Sequence, residues 1–125
     1  MSLKNAKVLT IAQSIHPFLE EHEMAQATRQ LPQGILECGN EIRVFMPKFG
    51  CINERRHQLH EVIRLSGMNL IINDTDHALL IKVASVPSAR MQVYFIDNEE
   101  YFKRKCTWND KDGAFHPDND ERALF

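Results

Sequence analysis

Three carboxylates and an imidazole crowd one short stretch of this chain, Glu20-Glu21-His22-Glu23. They close the segment Gln13 to Glu23, which separates an apolar run at Val8, Leu9 and Ile11 from residues at helical spacing, Met24, Thr28, Leu31, Ile35 and Cys38. A loop that leaves a strand and enters a helix is where α/β sheets bind ligands. Acidic side chains in such a place repel phosphate. They suit the positive end of the helix, at ~0.3 to 1 kcal/mol each, or the hydroxyls of a sugar, or a cationic partner. The segment contains no glycine, so it lacks the G-x-G-x-x-G turn of a dinucleotide site.

A second polar group comes later. Asp97 and Asn98 end an apolar stretch, with Tyr101 and Arg104 shortly after; an aromatic face beside hydrogen-bonding groups suits a sugar, and the same residues can equally cap and pack a turn. His57 and His60 stand at i, i+3 with Glu61 adjacent, but the further ligands of a metal site are missing, so they read as surface histidines. His16 has no recognisable partner as a general base, and nothing beside Cys51 activates its thiol. Cys38, Cys51 and Cys106 are odd in number and form no C-x-x-C pair, which points to reduced thiols in a cytoplasmic protein. No metal and no cofactor is implied.

These groups need elements to hold them. Ala6 to Ala12 is expected to be the central strand, since near-continuous apolar character suits burial on both faces. The helix that follows should end at Cys38, with Gly39 as its C-terminal cap, a bend at Pro32, and a wet side of Arg29, Gln30, Gln33 and Glu37. Ile42, Val44 and Met46 then form a second strand, parallel to the first. Asn53 can cap a short helical turn. Residues 60–86 read as a β insertion: strands around Val62 to Leu65, Leu70 to Ile72 and Leu79 to Val83, with Asn73 to His77 as a hairpin loop. Gln92 to Ile96 is a further strand, Glu99 to Lys105 a short helix, and Cys106 to Pro117 a polar loop. Asp118 and Glu121 have the spacing of a helix start. A helix beginning so near Phe125 implies a segment of a longer chain.

At 125 residues the chain is one domain by length, and its 43% hydrophobic content is ordinary for a globular protein. A net charge of −2 gives no broad attraction to nucleic acid or to a membrane surface. No apolar run approaches the roughly 18 to 20 residues of a membrane span.

Several separated motifs, in order, resemble one family. Pro17-Phe18, Ala25, Leu31-Pro32, Gly39, Glu41, Arg43, Val44, Pro47 and Gly50 match without a gap the opening of the bacterial glycogen synthase and plant starch synthase family, retaining glucosyltransferases of the GT-B fold. Ile52 with Arg55, Arg56, His57 and Leu59 is similar to its Ile-Asp-x-x-x-His-x-Leu region. Tyr94 to Asn98, then Glu100-Tyr101-Phe102 and Arg104, resembles its Tyr-Phe-Ile-Asp-Asn-Pro-Glu-Tyr-Phe-Asp-Arg stretch. Asp118-Asn119 with Glu121-Arg122 resembles Asp-Asn-x-Glu-Arg-Phe. The resemblance runs from Lys7 onward.

It implies an α/β, Rossmann-like parallel sheet with a β-hairpin insertion, residues 1–125 being part of the amino-terminal domain. Family members have two Rossmann-like domains. The donor, ADP-glucose or UDP-glucose, binds mainly to the carboxyl-terminal one, and the α-1,4-glucan acceptor lies along the amino-terminal one. The family's His-x-His-Asp-Trp motif falls beyond Phe125, so no catalytic residue is expected within this segment and the segment alone is not expected to be active. Asp97, Asn98, Tyr101 and Arg104 become candidate glucan contacts. Glu20, Glu21, His22 and Glu23 fall on the family's Lys-Thr-Gly-Gly-Leu loop, whose lysine and glycine amides meet the donor phosphates. Taking ~5 Å and an effective dielectric of ~20, each carboxylate facing a phosphate charge costs roughly 3 kcal/mol before screening. Losing both glycines also removes the freedom for close backbone approach. Three readings of the loop stand: it has lost its ancestral role, or the rest of the protein supplies other cations and transfer survives in altered form, or it binds something different, such as sugar hydroxyls or a cationic partner. A degenerate homologue serving as a glucan-binding or assembly module is the rival expectation.

Overall fold

The computed structural model describes residues 6–15, 18, 23–86, 91–102 and 114–125, with the backbone alone for 23–25. Along the chain come β1 (Lys7–Ile11), α1 (Glu23–Glu37), β2 (Glu41–Pro47), α2 (Glu54–His57), β3 (His60–Glu61), β4 (Met68–Ile72), β5 (Thr75–Ser85), β6 (Gln92–Asp97) and α3 (Asn119–Leu124). One sheet runs in the order β1-β2-β6-β5-β3, with β4 paired to β5. β1 and β2 are parallel in the register Lys7↔Glu41 to Ile11↔Phe45, as the sequence requires, and β6 extends the parallel part beside β2. β5 joins β6 antiparallel, making the sheet mixed.

Alternation along the strands sets the core. Ile42, Val44 and Met46 point to one face of β2, where the register lays Val44 beside Val93 and Met46 beside Phe95. Ile15, Phe18, Phe49, Ile52, Tyr101 and Phe102 close over this row, and Ile35 and Leu36 of α1 pack against it. Each large side chain so buried contributes about 1.5 to 3 kcal/mol.

Ala6 to Ala12, expected as the central strand, pairs with β2 alone among the described residues. β1 lies at the end of the sheet, and Leu9 and Ile11 are 59% and 72% exposed. Their register partners are Arg43 and Phe45, on the face opposite Val44 and Met46. Apolar content alone could not separate an edge strand with an open face from a doubly covered one.

α1 matches its expected span to within one residue at each end, but its buried stripe is rotated. Leu31 is 67% exposed while Pro32 is fully buried, and Ile35 and Leu36 are the helix residues packed against the core. Arg29 donates to Gln33, and Gln33 to Glu37, along the wet side. Gly39 adopts φ +88° and its N–H donates to the Leu36 carbonyl at 3.0 Å, the positive-φ ending that glycine favours. Asn40 ties helix to strand: its amide donates to the Ile35 carbonyl, and its side-chain oxygen accepts from the Ala6 N–H.

Residues 60–86 differ in detail. Ile63–Leu65 is a 3-10 turn, with Ile63 81% exposed, where a strand was expected. The Ser66 hydroxyl accepts from the Ile81 N–H at 3.0 Å, taking a donor that a paired strand would have used. The hairpin loop is only Asn73-Asp74, at φ 52° and 62°. Two positive-φ residues match the twist of flanking strands, so Thr75, Asp76 and His77 belong to β5. Residues 99–102 form a turn rather than the start of a helix, and the rest of that expected helix lies outside the described residues. Among the described residues no helix is long and apolar enough to cross a membrane.

Candidate functional site

The carboxyl ends of β1, β2 and β6 lie side by side, where ligands bind in open α/β sheets. Past β1, the Thr28 hydroxyl donates to the Ser14 carbonyl at 2.5 Å, and the Phe18 N–H to the Ile15 carbonyl at 3.0 Å. Ile15 and Phe18 are buried. The Phe18 ring meets Phe95 at 5.0 Å and His57 at 4.9 Å, both edge-on, so Phe18 anchors its part of the chain to the sheet. Glu20, Glu21, His22 and the Glu23 side chain lie outside the described residues, as do His16, Arg104 and Cys106. The backbone of Glu23 opens α1.

Past β2 and β6 stands a chain of alternating charges that sequence reasoning missed. Lys48 Nζ lies 3.2 Å from Glu54 Oε1, Lys82 Nζ lies 2.5 Å from the same oxygen, and Lys82 Nζ lies 2.9 Å from Asp97 Oδ2. Lys48 and Asp97 are buried. The signal was present in the alternation: Lys48 follows Val44 and Met46 at period two, and Lys82 shares the inward register of Phe95, so both must carry charge toward the core and find carboxylates there. The bond from Lys82 is the main cause that holds the Glu54 carboxyl below its ordinary range, with Lys48 adding to it. Burial works against the Lys82 ammonium, but its bonds to Glu54 and Asp97 outweigh that and keep its pKa above the ordinary value.

Asn98 and Tyr101 make a second, less polar cluster. The Asn98 side-chain oxygen accepts from the N–H groups of Glu100 and Tyr101, both at 2.9 Å, and its amide donates to the Ala78 carbonyl at 2.8 Å. The Tyr101 hydroxyl lies 2.9 Å from His77 Nε2, and His77 Nδ1 faces Glu100 Oε2 at 3.0 Å without the alignment of a hydrogen bond. Burial pushes the Tyr101 phenol up. Phe125 packs on Tyr101 and Phe102, and the Arg122 guanidinium lies over the rings of Phe102 and Phe49, so α3 locks this turn. Asp97, Asn98 and Tyr101 thus gather at one strand end, with their polar atoms directed at protein partners.

His57 ends α2, half-buried; burial, helped by Arg56, lowers its pKa. His60 and Glu61 are exposed on β3, and among the described residues no three His, Cys, Asp or Glu side chains gather as for a metal. Asn53 caps α2, its side chain accepting from the Arg56 N–H at 3.0 Å. Cys38 and Cys51 are exposed and form no disulfide.

A mixed sheet with its loops collected at the carboxyl ends has known counterparts. The chain is 39% identical over 126 residues to the glycogen synthase of Chlorobaculum tepidum, matching 100% of this chain and 26% of that protein. It is 37% identical over the same length to the glycogen synthase of Chlorobium limicola. It therefore spans about a quarter of the curated relatives' length. Among solved structures, the catalytic domain of starch synthase IV from Arabidopsis thaliana, bound to ADP and acarbose, superposes with a TM-score of 0.71 over 87% of this chain and 22% of that one, at 17% identity. That likeness shows the fold, a partial GT-B α/β unit. The family model described as starch synthase catalytic domain matches residues 7–125, and the chain belongs to that family.

Proposed function

We propose that this chain is the amino-terminal, acceptor-side segment of a glycogen or starch synthase-type glucosyltransferase, which in the complete protein elongates α-1,4-glucan from ADP-glucose or UDP-glucose. The observation that carries it is the family match from residue 7 to residue 125, laid on the parallel β1-β2 pair and its loop into α1. The related starch synthase with ADP and acarbose bound supports a nucleotide donor and a glucan-like acceptor. Glucan contacts by Asp97, Asn98, Tyr101 and Arg104 belong to the same proposal in a restricted form: Asn98 and Tyr101 shape the strand end that presents the acceptor surface, and Arg104 is the member left to touch sugar.

The segment Glu20 to Glu23 takes no part in cradling the donor phosphates, because carboxylates at a phosphate position repel it by roughly 3 kcal/mol per charge pair before screening. Calorimetry of ADP-glucose and UDP-glucose with the complete protein tests this. Glu20→Lys is expected to tighten donor binding at least about tenfold, given that 1.4 kcal/mol is a factor of ten. Tight binding by the unaltered protein that Glu20→Lys leaves unchanged would overturn the assignment.

A further inference from the structure

We propose that Lys48 and Lys82 form a binding site for a phosphate-bearing anion, which Glu54 closes from within the chain. Two ammonium groups converge on one carboxylate oxygen, Glu54 Oε1, at 3.2 and 2.5 Å. A phosphate oxygen can take that position, and lysine serves phosphate as a point charge with rotatable donors.

The balance of charge favours exchange. Lys82 has a second carboxylate partner, Asp97, at 2.9 Å, whereas the one ion-pair partner of Lys48 among the described residues is Glu54. The Lys48 side chain is 10% exposed, and an ammonium so buried requires an anion beside it. The two lysines with Asp97 alone carry a net positive charge. Some anion must therefore fill the Glu54 position, and it need not be Glu54.

Glu54 is the member able to leave. Its side chain is 43% exposed, against 19% for Lys82 and 8% for Asp97. It sits on α2, four residues long with none of them buried and held by the Asn53 cap. Swinging the carboxylate into water uncovers Lys82 and Lys48 at the carboxyl ends of β2 and β6, the edge where α/β sheets receive ligands. Glu54 thus acts as an internal competitor.

The site stands on these four side chains and does not rest on the transferase proposal; its failure would leave family membership and glucosyl transfer untouched. The test is calorimetric titration of the 125-residue chain with inorganic pyrophosphate and, separately, ADP-glucose. Alongside, the Glu54 γ-CH₂ and Lys48 and Lys82 ε-CH₂ resonances are followed by NMR. Pyrophosphate is expected to bind and to move all three sets of signals. Glu54→Gln should tighten binding about two- to fivefold, the value of a partly exposed ion pair removed as competitor, and Lys48→Met should abolish it. Binding of both probes assigns the site to phosphate within a nucleotide sugar, and binding of pyrophosphate alone assigns it to free phosphate. Unmoved lysine signals in the unaltered chain, or a folded Glu54→Gln that binds no tighter, would overturn the proposal. The NMR arm needs no variant, so a substitution that fails to fold leaves the proposal testable.

Discussion

Asn98 offers the sharpest test of how the strand end at β6 is built. Its side chain makes three hydrogen bonds at 2.8 to 2.9 Å, to Ala78, Glu100 and Tyr101, and the residue is 4% exposed. Asn98→Ala removes all three and leaves two backbone donors and one acceptor without that partner. At about 1 kcal/mol net for each bond, the loss is about 3 kcal/mol. With a urea m-value of about 2 kcal/mol/M, the unfolding midpoint should fall by roughly 1.5 M. Asn98→Asp separates the contributions. It keeps the acceptor for Glu100 and Tyr101 but turns a donor into a second acceptor facing the Ala78 carbonyl, so it should lose about 1 to 2 kcal/mol. Urea unfolding of the three proteins, followed by far-UV circular dichroism, is the assay. An Asn98→Ala unfolding free energy within about 0.5 kcal/mol of the unaltered chain's would refute the capping role. Direct sugar contact by Asn98 would instead lower glucan affinity and leave stability unchanged.

Other consequences follow from single observations. Tyr101→Phe keeps the ring contacts and removes the hydroxyl at His77, so it should destabilise by about 1 to 2 kcal/mol in the same unfolding assay. Gly39→Ala forces a Cβ onto a backbone at φ +88°, where no neighbouring atom crowds it, and strain alone should lose about 1 kcal/mol. Acid should weaken the fold in two overlapping stages. The lowered pKa of His57 means that the unfolded chain binds the extra proton first, so stability falls as pH drops below the usual histidine range, about 6.5. The lowered pKa of Glu54 gives stability that is present above the usual carboxylate range, about 4.3, and lost as pH falls through its folded value. At the alkaline end, the raised pKa of Lys82 gives stability that is present below about 10.4 and lost as pH rises through its folded value. Unfolding midpoints from pH 3 to 11, with His57→Gln and Glu54→Gln as comparisons, check both the signs and the assignments.

Legibility in the sequence followed the range of the forces involved. The parallel pairing of β1 with β2, the Gly39 ending of α1 and the Asn53 cap of α2 are local or strongly periodic, and each was readable from residue types at fixed spacing. The edge position of β1 was not, because Leu9 and Ile11 look the same whether or not another layer covers them. Nor was the rotation of α1: Pro32 reads as a breaker, and only contact with the sheet shows it buried while Leu31 faces out. The strand lost at Ile63 gives way to a turn tied to β5 by long-range bonds, among them Ile81 N–H to the Ser66 hydroxyl and Val62 N–H to the Ile81 carbonyl. In the candidate site, Asp97, Asn98 and Tyr101 were recognised as a group from their place after an apolar run, though their partners Lys82, Ala78 and His77 come from β5, roughly 15 to 24 residues earlier. Lys48 and Lys82 escaped notice because a lone lysine in or just past an apolar strand carries no motif; the period-two register was the available clue.

The most direct measurement is transfer of labelled glucose to an α-1,4-glucan primer by the complete protein that carries this segment, with ADP-glucose and UDP-glucose as donors. Incorporation of label into longer α-1,4-linked chains, with one of the two donors preferred, is the expected result. Absence of transfer from both donors by folded protein that still binds the primer would contradict the glucosyltransferase assignment and leave a glucan-binding module in its place.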